Sequence, residues 1–109
     1  MPRNSKVFVV QETEHNILPA KEFGELEILL STRDVMRGLE HYADKLAERL
    51  GEWRECDFLL CIGDPVAIGL AIHMVILATR EGASVNILKW DRIHYQYKVE
   101  TINPRNVEL

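Results

Sequence analysis

The stretch Asp57-Phe-Leu-Leu-Cys-Ile-Gly-Asp-Pro-Val-Ala-Ile-Gly-Leu-Ala-Ile-His-Met-Val-Ile-Leu-Ala-Thr-Arg80 decides the fold. Phe58 to Ile62 is a short apolar run of strand length, Gly63-Asp64 is a turn, and Pro65 to about Arg80 is long enough and apolar enough to be a core helix. Asp64 suits an N-cap and Pro65 a first helical position. A buried strand feeding a buried helix is the repeating unit of an α/β sheet.

Working outward, Lys6 to Glu12 is a continuous apolar run rich in β-branched residues, as expected of the central strand of the sheet, buried on both faces. Thr13 to Gly24 reads as a connecting loop whose Ile17, Leu18 and Phe23 fold back onto the core, and Glu25 to Leu30 as a second strand. Ser31 with Asp34 three residues on is an N-cap pattern. From there Val35, Leu39, Tyr42, Leu46 and Leu50 recur at helical spacing up to Gly51, predicting one helix. Its opposite face, with Arg37, Glu40, Asp44, Lys45, Glu48 and Arg49, is expected to be solvated. Val85 to Trp90 and Tyr95 to Ile102 form a C-terminal hairpin. The expected order is ββαβαββ, a single α/β domain over residues 1–109 with a five-stranded mixed sheet, two helices in two or three layers, and a loose tail over 103–109.

The 109 residues are the size of one domain, and 47% apolar with 28% charged residues is globular composition. No apolar run is long enough to span a bilayer, and the N-terminus enters a strand pattern without a leader, so a cytoplasmic protein without membrane attachment is expected. Cys56 and Cys61 lie about 16 Å apart in an extended segment at roughly 3.3 Å per residue, which is too far for a disulfide, so both are expected to be free thiols. Thirteen basic against seventeen acidic residues, net −4, argue against nucleic-acid binding through bulk charge.

Four sets of residues invite a functional reading. Gly63 and Asp64, at a strand end and a helix N-terminus, could receive an anion or nucleotide, although Asp64 is itself a cap that would occupy the N–H groups and repel phosphate. Along the second helix Gly69, His73, Ile76 and Arg80, with Ile72 beside them, form a stripe facing away from the sheet, while Val66, Leu70, Met74 and Leu77 are expected to face it. That stripe suits a homodimer contact, or cover by the first helix. The hairpin residues Lys89, Trp90, Arg92, His94, Tyr95, Tyr97 and Lys98 could stack on a single strand of nucleic acid. The alternative, which we favour, packs Tyr95, Tyr97 and Val99 on one sheet face. Finally, Cys56, Cys61, His15, His41, His73 and His94 show no metal-ligand spacing, and no nucleophile has a base within helical reach. We therefore expect no metal, no cofactor and no catalytic residues.

The segments Ile62-Gly-Asp-Pro-Val-Ala-Ile68 and Leu88-Lys-Trp-Asp-Arg92, with the Val-Phe-Val-Val-Gln-Glu start at Val7 and the segment from Asn16 to Gly24, resemble short uncharacterised α/β reading frames of tailed bacteriophages. The resemblance implies a small accessory protein of the infected cell, with a host protein as a conceivable partner, and it carries over no functional residues. The expectation from sequence is thus a small binding or interaction module, with an anion or nucleotide binder at Gly63-Asp64-Pro65 as the alternative.

Overall fold

The computed structural model describes residues 4–104. Five strands, β1 (Lys6–Gln11), β2 (Glu25–Leu30), β3 (Phe58–Leu60), β4 (Val85–Asp91) and β5 (Gln96–Ile102), form one sheet in the order β2-β1-β3-β4-β5. The first four are parallel and β5 is antiparallel to β4, closing the expected hairpin. β1 is buried on both faces as expected, with Val7 to Val10 fully buried, but the central place expected for it belongs to β3, because the connection after β1 puts β2 on its outer side.

Alternation along the strands divides the core in two. Phe8, Val10, Leu59, Val85 and Ile87 point to the face covered by helices, and Val7, Val9, Leu60 and Leu88 to the face covered by a 3-10 segment, Leu18–Phe23. Ile17 and Phe23 pack there as expected, but Leu18 is turned out to solvent.

The helix expected between Ser31 and Gly51 is two, α1 (Thr32–Met36) and α2 (Leu39–Leu50). Gly38 separates them at φ 106°, a conformation that ends any right-handed helix and that L residues avoid. Leu39, placed in the apolar stripe by spacing, is consequently exposed. Asp34 holds the two pieces together. Its carboxylate accepts from the Ser31 N–H (2.8 Å) and hydroxyl (3.0 Å), lies 2.9 Å from His41 Nε2, and accepts from Lys45 Nζ at 2.8 Å. Ser31 Oγ in turn accepts from the Asp34 N–H, completing the capping box. Lys45 is therefore not a solvated charge but a tie across the break.

Helix α3 (Pro65–Ala78) meets the core through Ala67, Ala71 and Val75, all fully buried. The expected sheet-facing set was wrong at its ends: Val66 is 56% exposed and Leu77 71%. A helix apolar on every side gives no moment to orient it, and the small side chains win the sheet side because they let the backbone approach closely. Ile72 and Ile76 are half-buried against the helix-face core, to which Leu46 and Leu50 of α2 also belong.

Candidate functional site

The four parallel strands end on one edge of the sheet. From there the chain leaves β1 toward the 3-10 face and leaves β3 toward the helix face. Neighbouring strands whose connections diverge in this way open a crevice beyond their carboxyl ends, where α/β sheets characteristically bind ligands.

On the helix side the crevice is closed. Gly63 turns the chain at φ 118°, the Asp64 N–H donates to Gln11 Oε1 at 2.7 Å, and Asp64 Oδ2 accepts from the N–H groups of Val66 (3.0 Å) and Ala67 (3.1 Å). Pro65 has no N–H and the Ile68 N–H bonds the Asp64 carbonyl, so the first turn of α3 has no donor left for an anion. Gly63 and Asp64 build the turn, and the geometry gives the helix end no role as the anion site considered from sequence.

On the 3-10 side the crevice widens into a cleft of about 510 Å³. His15, Asn16 and Pro19 of the β1 connection form one wall, and Leu60, Cys61 and Ile62 at the end of β3 the floor. Trp90, Arg92 and Tyr97 of the hairpin form the opposite wall. Trp90 and Tyr97 are cross-strand partners, their rings edge to face at 5.0 Å. The Tyr97 hydroxyl donates to the Asn16 carbonyl (3.2 Å), tying the two walls together, and burial holds its phenol above the ordinary value. Asp91 braces the hairpin turn: Oδ1 accepts from the N–H groups of Ile93 (2.9 Å) and His94 (3.2 Å), and Oδ2 lies 2.7 Å from His94 Nδ1. That histidine contact, with the two N–H groups, lowers the Asp91 carboxyl to about 2.

Arg92, carried on this braced turn, and the His15 imidazole have no hydrogen-bond or ion-pair partner among the described residues. Among the described residues, no acidic one lines the cleft. Burial raises the Cys61 thiol to about 11, so it is protonated at neutral pH and is a poor nucleophile. Both cysteines are free, and no group of three potential metal ligands occurs among the described residues. Asp57 and Asp64 stand beyond opposite ends of β3. Asp57 is fully buried and accepts from the N–H groups of Lys6 (2.9 Å) and Arg54 (2.8 Å).

The structure separates the sequence candidates. Tyr97 and Val99 pack on the 3-10 face as favoured, but Tyr95 does not. It sits in the turn at φ 51°, 79% exposed, because a four-residue connection needs a left-handed position there. Gly69 and His73 lie on the exposed outer face of α3, with Ile72 and Ile76 half-buried beside it, whereas Arg80, expected on the same stripe, stands beyond the helix, which ends at Ala78. Arg80 pairs with Glu55. His15 and Asn16 were missed as site residues, since a loop histidine and asparagine carry no spacing signal. Only the fold brings them opposite the hairpin.

No curated protein and no solved structure matches the chain. A family model described as phage Pam3 gp32-like protein matches residues 5–104, which takes in every strand and helix of the structure and both walls of the cleft. The chain belongs to the phage Pam3 gp32-like protein family.

Proposed function

We propose that this phage-family protein is a cytoplasmic accessory binding module that holds a small molecule in the cleft between the β1 connection and the hairpin, without covalent chemistry. One observation carries the reading: the cleft lies at the divergence of the β1 and β3 connections, within the usual size range of small-molecule sites. Its lining is mostly apolar and aromatic with a few polar groups, the usual composition of a binding site. Supporting the absence of chemistry, the one thiol on the cleft is held protonated, and Tyr97 is committed to the Asn16 carbonyl. No described helix is long and apolar enough to cross a membrane.

A thermal-shift screen of metabolites tests this. A cognate compound stabilises only the folded state, and about 1 kcal/mol of mass-action stabilisation raises Tm by roughly 4–8 °C in a domain near this size. His15→Trp, at an exposed position whose imidazole has no partner, should fill the mouth and abolish the response with little change in the ligand-free Tm. A screen in which no compound raises Tm would overturn the reading.

A second reading, self-association through the outer face of α3, is favoured by the exposure of Val66 and Leu77 beside Gly69, where an added Cβ would meet nothing within 4 Å. Gly69→Glu and Leu77→Glu should leave the monomer folded, the first even gaining about 0.5–1 kcal/mol from helix propensity, while a two-fold contact would lose its dimer to paired carboxylates. Sedimentation velocity decides: a wild-type chain that stays monomeric at high micromolar concentration eliminates the interface.

A further inference from the structure

The cleft carries its own specificity. We infer that its ligand is a nucleoside monophosphate, the base lying on the Trp90 indole and the phosphate meeting Arg92 and His15. This deepens the binding-module reading and rests on it.

Three observations converge. Trp90 is 40% exposed and lines the cleft although its ring is packed edge to face with Tyr97, which is itself pinned through its hydroxyl to Asn16. An indole held in place by a buried neighbour while lining the cleft is a stacking platform for a planar heteroaromatic ring. Second, the cleft runs against the charge of the molecule. In a chain of net −4, the lining carries Arg92 and His15, whose side chains have no partner among the described residues, and no carboxylate among the described residues lines the cleft beside them. Asp91, one residue away, is committed to His94 and to two backbone N–H groups, which leaves the Arg92 fork available for a bidentate anion. Third, the base site and the anion site share one strand and its turn, two residues apart. Leu60, Ile62 and Pro19 supply an apolar surface for the ligand between them.

A polymer fits less well. The cleft lies between two walls tied by the Tyr97–Asn16 hydrogen bond. The chain's net charge would also oppose a polyanion extending beyond it.

The test uses tryptophan emission of the full chain. Trp53, the other tryptophan, is buried beside Phe8 in the core on the helix side, so quenching by a cleft ligand reports Trp90. The probes are AMP, GMP, CMP and UMP, with adenosine, inorganic phosphate and a ten-nucleotide single strand as comparison arms. At least one monophosphate is expected to quench saturably, with adenosine and phosphate each weaker by about tenfold or more. Arg92→Gln should weaken that monophosphate by about tenfold while leaving adenosine unchanged. Trp90→Leu, followed by thermal shift, should weaken both nucleotide and nucleoside.

Three results would overturn the inference. One is that no monophosphate quenches at millimolar concentration, even though other compounds in the screen raise Tm. Another is that Arg92→Gln binds the nucleotide as well as wild type does. The third is that the oligonucleotide binds far more tightly than any monomer. The first of these leaves the binding-module reading standing, whereas a chain whose Tm responds to nothing removes both.

Discussion

Gly63→Ala is expected to cost roughly 2–6 kcal/mol, the sum of about 1–3 kcal/mol for forcing an L residue into a sparsely populated backbone conformation and about 1–3 kcal/mol for overpacking. The backbone turns there at φ 118°, and a Cβ would fall 2.4 Å from Gln11 Cβ and 2.5 Å from Gln11 Oε1. Gln11 cannot easily move away, because it is buried and its side-chain oxygen accepts the Asp64 N–H. Urea unfolding measures the loss. In a Gln11→Gly background, which removes the Cβ as well as the amide, the contact disappears but the backbone strain stays, so the cost of Gly63→Ala should fall by about 1 kcal/mol or more without vanishing. A cost below about 1 kcal/mol in the wild-type background would show that the turn relaxes freely.

Asp34→Ala should destabilise the chain by roughly 2–4 kcal/mol. About 1 kcal/mol is lost with the capping box, and the rest comes from the charge-assisted contacts to His41 and Lys45. Both partners are partly exposed, so the groups left behind recover hydration and the loss stays below that of a fully buried pair. The lysine, the histidine and the Ser31 N–H all hold the Asp34 carboxyl well below the usual carboxylate range. A depressed folded-state pKa means this stability is fully present above the unfolded value of about 3.9 and is lost as pH falls through the folded one. The gap between wild type and Asp34→Asn should accordingly be widest above about pH 5 and narrow steadily in acid. A gap that is constant from pH 7 to pH 2 would assign the whole effect to capping geometry and none to charge.

Local chemistry made much of the fold legible. The continuous apolar run from Val7, the Ser31 and Asp34 pair, and Asp64-Pro65 before a long apolar segment each carry a local physical cause, and each stands in the structure as read. The break at Gly38 was not legible, because the apolar spacing from Val35 to Leu39 and Tyr42 continues through it. A glycine within a helical pattern costs only about 1 kcal/mol, so propensity alone does not stop the helix. What stops it is the tertiary arrangement, in which α1 caps the end of β2 and α2 turns back across the sheet with Asp34 bridging them. The orientation of α3 was hidden for the converse reason: an almost uniformly apolar helix has no preferred face until a sheet selects its smallest side chains.

The candidate site divides in the same way. Trp90, Arg92 and Tyr97 stood out in the sequence as aromatics among basic residues on one hairpin, and the pairing of Trp90 with Tyr97 follows from a period of two along adjacent strands. Their partners His15, Asn16 and Cys61 come from other connections, up to 82 residues away in the chain. The sequence by itself determined strands, caps and the helix that must be buried, because those depend on neighbours within a turn or a pleat. The order β2-β1-β3-β4-β5 sends the β1 and β3 connections to opposite faces, and the cleft exists only where they part. That divergence depends on which strands lie side by side, a contact between distant segments that no local pattern encodes.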